Sequence, residues 1–464
     1  MIIIDKNSKT PIYTQIYTQL SSQIKEGYIA NGDRLTATRV LAKNINVSRH
    51  TVEKAYDLLI REGYVTSLQG SGYIVKNNIY TPKNKILPSS PSSRQRDKQI
   101  RYDMSNSCTD SDLVNTQWRK CMTDAIDVLQ SMEISDFSQR QGESILLELI
   151  SVKLSIYRGY TVEPYQIILT SGTHYCYDLV AGILNKEEYT ILCEDPSNNI
   201  VKYCFSRFGY DIEYLPMESD GISTEELYKY NKCILCLTPD HQFPTGARLS
   251  SQKREKILQW AEETDSYIFE DEYDSAISYL PEANPSIAFY DKNDRVIHIG
   301  SFLYLLIPGM RISYVVLPKR LYPVYDWLFN GYSNSVPLVC QYAMVEYISE
   351  KGLDRYFRKF VTHYNKKRNT LLSCLEKAFG DKIDILGENF GLFITVSIKN
   401  DMSEAQLVES ASQKNIKVYP LSPYEKKHHS DIPRIILGYG PISEKHIPKI
   451  VELLKEAWLK NGNT

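Results

Sequence analysis

Between residues 166 and 317 the chain repeats one pattern, a short run of mostly apolar residues followed by a longer stretch of helical spacing. The runs are 166–170, 190–193, 212–215, 233–237, 267–269, 296–299 and 312–317. Short runs with no polar face read as strands buried on both sides, and strands that alternate with helices build a largely parallel sheet covered by helices. The pattern therefore predicts an α/β domain. In such sheets function collects at the strand ends. Here those ends carry Ser171-Gly172-Thr173, Glu194-Asp195-Pro196, Thr238 to Gly246, Glu270 to Asp274 and Gly300-Ser301-Phe302.

This domain does not account for all 464 residues. Around residues 79–100 the sequence turns to proline, serine and charge, as in Pro88-Ser89-Ser90-Pro91-Ser92-Ser93-Arg94-Gln95-Arg96. Such a stretch buries too little apolar surface to pack and reads as a linker. It divides the chain into a first unit, 1–78, and a second, 101–464. Residues 1–101 hold 16 Lys and Arg against 7 Asp and Glu, whereas the rest hold 38 against 49. A basic module on an acidic body points to a polyanionic partner for the module.

In the first unit, Pro11 opens an amphipathic helix with Ile12, Ile16, Leu20 and Ile24 at four-residue steps, ended by Gly27 and Gly32. A short helix through Arg39–Lys43 follows. Then comes the turn Asn44–Val47, with Ser48 as the N-cap of a second helix running to Leu59. This is the helix-turn-helix order, in which the start of the second helix meets base edges in the major groove of double-stranded DNA. Those residues are Ser48, Arg49, His50 and Thr51, while Val52, Ala55, Tyr56 and Leu59 form the buried face. Tyr64–Ser67 and Tyr73–Val75 flank Leu68-Gln69-Gly70-Ser71-Gly72 as a hairpin, the wing. The ordered set, including Gly32-Asp33-Arg34-Leu35 and Glu62-Gly63-Tyr64, resembles the winged helix of GntR-type bacterial regulators. The resemblance implies that Arg34, Arg39, Arg49, Thr51 and Gly70 contact DNA. Thr36-Ala37 departs from the Pro-Ser usual in that family.

The strand ends of the second unit resemble fold-type I aminotransferases, which have a large mainly parallel sheet domain and a small C-terminal α/β subdomain. Behind a GntR-type winged helix they resemble MocR (GabR-like) regulators, most specifically through His241-Gln242-Phe243-Pro244-Thr245-Gly246 and Glu270 to Asp274. Ser171, Gly172 and Thr173 at a helix start could offer N–H groups and hydroxyls to a phosphate, completed by Ser301 and Arg311. The resemblance implies that Asp271 pairs with the pyridine nitrogen of pyridoxal phosphate, that Tyr273 reaches its ring hydroxyl, and that Arg434 clamps a substrate carboxylate. The pattern is broken at the decisive place. Where the family has the lysine that bonds covalently to the cofactor, seven residues before Arg311, this chain has Tyr304. A phenol cannot make that bond. Asn198 replaces the aromatic that usually stacks on the ring, and His174-Tyr175 replaces a glutamine pair, with Tyr175 a candidate aromatic wall.

The expected protein is a cytoplasmic DNA-binding regulator whose aminotransferase-like domain senses a small phosphorylated or amino-acid-like effector. Pyridoxal phosphate, its amine form or an amino-acid adduct would be held without a covalent bond. The resemblance adds a head-to-tail homodimer. Two alternatives differ in kind: an aminotransferase with a DNA-binding appendage, which Tyr304 opposes, and a dimerisation scaffold that binds no ligand. The longest apolar stretches fall short of the roughly eighteen residues a membrane helix needs, and no signal peptide is read. Nine scattered cysteines read as reduced core residues. Cys233-x-x-Cys236 lies within a strand and His428-His429 in a polar loop, so no metal site is expected.

Overall fold

The computed structural model describes residues 2, 4–5, 8, 10–25, 28–68, 72–76, 100–105, 116–132, 139–274, 277–280, 285–301, 310–350 and 352–459. The chain divides into two compact units, 1–96 and 97–464. Apart from Ile100, the linker segment lies outside the described residues.

The first unit contains α1 (Ile12–Lys25), α2 (Thr38–Asn44) and α3 (Arg49–Arg61), then β1 (Val65–Leu68) and β2 (Gly72–Val75). The four-residue apolar steps of α1 bury Ile16, Leu20 and Ile24 in one cluster with Val52, Ala55, Tyr56 and Leu59 of α3. The turn between α2 and α3 places Asn46 at φ 52°, a left-handed conformation that asparagine tolerates better than most residues. Ser48 then caps α3, its hydroxyl accepting from the Thr51 amide at 3.1 Å, an interaction worth about 1 kcal/mol. β1 and β2 pair antiparallel from Val65↔Val75 to Leu68↔Gly72. The Tyr73 ring meets Tyr56 edge-on at 4.8 Å, which fastens the wing to α3.

The second unit begins with β3 (Tyr102–Asp103). Its main strands are β4 (Ile167–Thr170), β5 (Thr190–Asp195), β6 (Ile212–Glu218), β7 (Gly221–Ile222), β8 (Cys233–Leu237), β9 (Tyr267–Glu272), β10 (Val296–Gly300) and β11 (Ser313–Val316). Among the described residues these form an eight-stranded sheet in the order β4-β11-β10-β9-β8-β5-β6-β7. The run β10, β9, β8, β5, β6 is parallel throughout, as the alternation predicts. β11 is the exception, antiparallel to both β10 and β4. Strand alternation sends Cys236 and Phe269 to one face, packed with Cys176 and Phe205 of helices Thr173–Ile183 and Asn199–Phe208. It sends Cys233 and Ile268 to the other face, against Trp260 of helix Ser251–Glu263. Cys233 and Cys236 therefore belong to opposite core layers. No group of residues suited to hold a metal occurs among the described residues.

The small subdomain is an antiparallel sheet of β12 (Ile383–Leu386), β13 (Phe393–Ile398), β15 (Tyr419–Pro420) and β16 (Ile435–Gly438), in the order β12-β13-β16-β15. Between β13 and β15 lies β14 (Ile416–Lys417), which pairs with β3. Among the described residues no helix is long and apolar enough to cross a membrane.

Candidate functional site

Ser48, Arg49 and His50 stand exposed at the start of α3, with Thr51 half-buried beside them. The Arg49 side chain is 51% exposed and its Nε donates to Glu53 Oε1 at 2.6 Å, one helical turn on. Arg39 is exposed on α2. Arg34 is exposed and makes an isolated antiparallel bridge with Ile74, which sets it beside the wing. The Thr36-Ala37 departure leaves α2 with Ala37 at its N-cap and no side-chain cap. The Tyr56 hydroxyl instead donates to the Thr36 carbonyl at 2.8 Å. Gly70 lies outside the described residues.

In the second unit the C-terminal ends of β5, β8 and β9 open into a cavity of about 190 Å³. Of the residues singled out from sequence, Thr173, Asp271, Tyr273, Ser301 and Arg311 line it together. Gly172 stands just before them as the N-cap of helix Thr173–Ile183, at φ 98°. A Cβ on Gly172 would lie 2.6–2.8 Å from the Arg311 guanidinium, so only glycine lets the arginine close over this helix start. Arg311 itself sits at φ 49° and its guanidinium lies 3.4 Å from His174 Nδ1. The Ser301 hydroxyl donates to the Ile312 carbonyl at 2.8 Å. Ser171 is turned to other partners: its amide and hydroxyl bond Ser335 at 3.1 and 2.5 Å.

At the base of the cavity Asp271 Oδ2 accepts from the Tyr177 hydroxyl at 2.9 Å. Asp271 Oδ1 is buried without a hydrogen-bond partner. Burial pushes this carboxyl up to about 7, the Tyr177 hydrogen bond opposes the rise, and the nearby Asp274 and Glu272 add to it. Glu194 also lines the cavity and is likewise pushed up to about 7 by burial, against the Thr238 hydroxyl and amide. Those two donors reach Glu194 Oε2 at 2.8 and 3.2 Å. An acid with a partnerless buried oxygen is set to receive a donor such as a protonated ring nitrogen. The Tyr273 hydroxyl donates to the His241 carbonyl at 3.1 Å, and His241 Nδ1 lies 2.6 Å from Asp274 Oδ2. Glu270 and Glu272 point to the other face of β9 from Asp271. There Glu272 meets Arg158 and His298, and Arg158 also reaches Asp240 at 2.8 Å, a buried ion network behind the cavity wall.

Two sequence candidates stand apart from this cavity. Tyr175 is 55% exposed, and His174 occupies the wall instead. Arg434 lines a separate cleft of about 700 Å³ between the sheet domain and the small subdomain. Tyr304 lies outside the described residues, and no lysine is among the described residues lining the cavity. Asn198, at the position of the usual stacking aromatic, caps helix Asn199–Phe208 by accepting from the Ile200 amide at 3.1 Å. Sequence reasoning missed Tyr177 and Glu194 as cavity groups. Tyr177 had a signal, since it lies one helical turn after Thr173 and so shares its face.

Residues 12–75 match the family described as bacterial regulatory proteins, gntR family, and residues 104–435 match aminotransferase class I and II. Over nearly the whole chain the sequence is similar to the uncharacterized HTH-type transcriptional regulator YhdI of Bacillus subtilis (strain 168). The two are 30% identical, covering 98% of this chain and 97% of the relative. The probable rhizopine catabolism regulatory protein MocR of Rhizobium meliloti is 25% identical, covering 99% of this chain and 96% of the relative. In fold, the second unit is similar to a crystal structure of a multiple substrate aminotransferase from Thermococcus profundus. The TM-score is 0.69 at 20% identity, covering 78% of this chain and 92% of that one.

Proposed function

The chain belongs to the MocR-type transcriptional regulators, which join a gntR-family winged helix to a class I and II aminotransferase domain, and from that premise we propose that its second unit binds a pyridoxal phosphate-type ligand without a covalent bond and thereby controls DNA binding by the first. The observation that carries this reading is Asp271, buried with one oxygen unpartnered at the base of a cavity whose rim holds Thr173, Ser301 and Arg311. The residues fit such a ligand at both ends. The N-terminal amides of helix Thr173–Ile183, with the Ser301 hydroxyl and Arg311, would hold its phosphate. Asp271 would accept from its ring nitrogen, and Tyr273 would reach its ring hydroxyl. When bound, pyridoxal phosphate supplies an electron-withdrawing ring and an aldehyde. This chain has no lysine at position 304 to engage that aldehyde. The ligand would act as an effector, and the cavity would answer to its amine form as well.

In the same reading Ser48, Arg49, His50 and Thr51 enter the major groove of operator DNA, with Arg34, Arg39 and Gly70 at the backbone. The effector favours one arrangement of the DNA-binding modules in a cytoplasmic, head-to-tail homodimer by binding that arrangement more tightly. Trp327 and Tyr332, 77% and 65% exposed, are apolar surface that a second copy would cover. The test is a titration of the purified protein with pyridoxal phosphate, read by absorbance and thermal shift, with and without borohydride. A saturable shift with no reducible adduct is the expected result. A reducible adduct on a lysine would restore the aminotransferase reading, and no response at all would leave a ligand-free scaffold.

A further inference from the structure

One helix serves both ends of the cavity. Helix Thr173–Ile183 begins at the rim with Thr173, and one turn later it brings Tyr177 to the base, where the phenol donates to Asp271 Oδ2 at 2.9 Å. Both side chains are buried. The phenol has little freedom to leave this bond, because its ring packs against Phe269 at 4.5 Å and Phe205 at 6.0 Å between centroids, within the core layer on that face of the sheet. Burial first, then the charge of Asp271, holds the Tyr177 phenol well above its usual range, so it stays a donor near neutral pH. Asp271 is thereby left with one open oxygen: Oδ2 is occupied, and Oδ1 is buried without a partner. A carboxylate free at both oxygens accepts from several directions, whereas one held at Oδ2 offers a single acceptor in a fixed direction. A donor on the carboxylate also favours the ionised form over the acid, and an ionised acceptor bonds most strongly to a charged N–H. A ring C–H at that place would leave Oδ1 buried and unmet.

We propose that Tyr177 is the positioning residue that sets ligand choice in this cavity: by holding Asp271 at Oδ2 and leaving Oδ1 open, it selects a heteroaromatic phosphate with a protonated ring nitrogen over a carbocyclic ring of the same shape. This rests on the reading of the cavity as a pyridoxal phosphate-type site and adds to it the group that makes the choice. The other titratable groups beside Asp271 are Glu272 and Asp274, His298 on β10, Glu194 on β5, and the thiols of Cys236 and Cys176. All of them are shared by the wild type and Tyr177→Phe, which loses one hydroxyl and keeps its ring against Phe269.

The test uses the full-length protein as wild type, Tyr177→Phe, Asp271→Asn and the double variant. Calorimetry follows three probes: pyridoxal phosphate, its analogue with C–H in place of the ring nitrogen, and inorganic phosphate. The wild type is expected to bind pyridoxal phosphate more tightly than the analogue, a preference that needs no variant to read. Tyr177→Phe is expected to bind pyridoxal phosphate about tenfold more weakly, the order of one hydrogen bond to a charged group, and to bind the analogue and inorganic phosphate as the wild type does. In the Asp271→Asn background the same change should have almost no effect, because the tyrosine acts through the carboxylate. The absorption of bound pyridoxal phosphate should show the ring nitrogen losing its proton at lower pH in Tyr177→Phe. Urea melts without ligand give an independent reading. The Tyr177 hydrogen bond opposes the rise of Asp271 to about 7, so its removal lifts that carboxyl further, and the stability gap between wild type and Tyr177→Phe should widen as pH rises past that value. Equal loss of pyridoxal phosphate and of its analogue, or equal loss with and without the Asp271 carboxyl, would overturn the assignment and leave Tyr177 as core packing. A wild type that binds no pyridoxal phosphate would overturn the reading of the cavity and the selection with it; a gap in the melts that stays flat with pH would overturn the role of Tyr177 whatever binds.

Discussion

Asp271→Asn should change the stability of the ligand-free protein with a sign that depends on pH. The carboxyl stands near 7 in the folded chain against an ordinary value of 3.8. Folding therefore favours its protonated form. The sign follows from proton counting: between these two values the folded state holds more protons than the unfolded one, so stability falls as pH rises from about 4 to about 7. The full cost above pH 7 is on the order of 4 kcal/mol, an upper bound from about 1.4 kcal/mol per pH unit. Asparagine does not titrate and can still accept from Tyr177, but its amide N–H group meets the place where Oδ1 has no partner, at a pH-independent cost of about 1–3 kcal/mol. The variant should therefore be less stable than the wild type near pH 4 and more stable at pH 8, by roughly 1–3 kcal/mol each way. Urea melts of both proteins across this range, without ligand, read the difference directly, because Glu194 and the other titrating groups are common to both. A difference that stays flat with pH would refute the argument that Asp271 is buried at a cost to the empty protein. Saturating pyridoxal phosphate should then stabilise the wild type more than the variant, since only the carboxylate gains a charged partner.

Gly172→Ala forces a Cβ to 2.6 Å from the Arg311 guanidinium at a backbone φ of 98°, so inorganic phosphate and pyridoxal phosphate should both lose their thermal shift while the far-ultraviolet circular dichroism stays unchanged. Arg49→Ala removes an exposed side chain that pairs with Glu53 one helical turn on; gel-shift and salt titrations with duplex DNA should show weaker binding, a salt slope smaller by about 1, and an unaltered melting midpoint. Ser48→Ala deletes the cap on the Thr51 amide, and hydrogen exchange across the first turn of α3 should quicken by the equivalent of about 1 kcal/mol. Tyr304→Lys supplies the missing amine, so borohydride should trap pyridoxal phosphate on residue 304 by mass spectrometry; a trapped adduct on any other lysine would contradict the assignment of that position.

Local patterns carried most of the architecture. The helix-turn-helix order, the Ser48 cap, the buried face of α3 and the apolar runs of the main sheet could be read from spacing, because each depends on a 3.6- or 2-residue period or on a capping side chain within a few residues. The alternation of short apolar runs with helical stretches likewise announced a parallel core. Asp271, Thr173, Ser301 and Arg311 come together in one cavity from four separate stretches of chain, and there a resemblance pointed where spacing alone could not. What sequence could not tell depended on contacts between distant segments. Tyr177 holds one oxygen of Asp271 from a residue 94 positions away. Asn198 is spent on a helix cap, and Arg434 stands on a cleft separate from the cavity that Asp271 lines. The charge state of Asp271 and Glu194 likewise rests on how completely folding removes water from them. The sequence alone determined which residues could form strands, helices and caps; the tertiary structure decided which polar groups found partners and which were left buried without one, because desolvation and pairing are properties of the assembled surroundings rather than of any neighbouring residues in the chain.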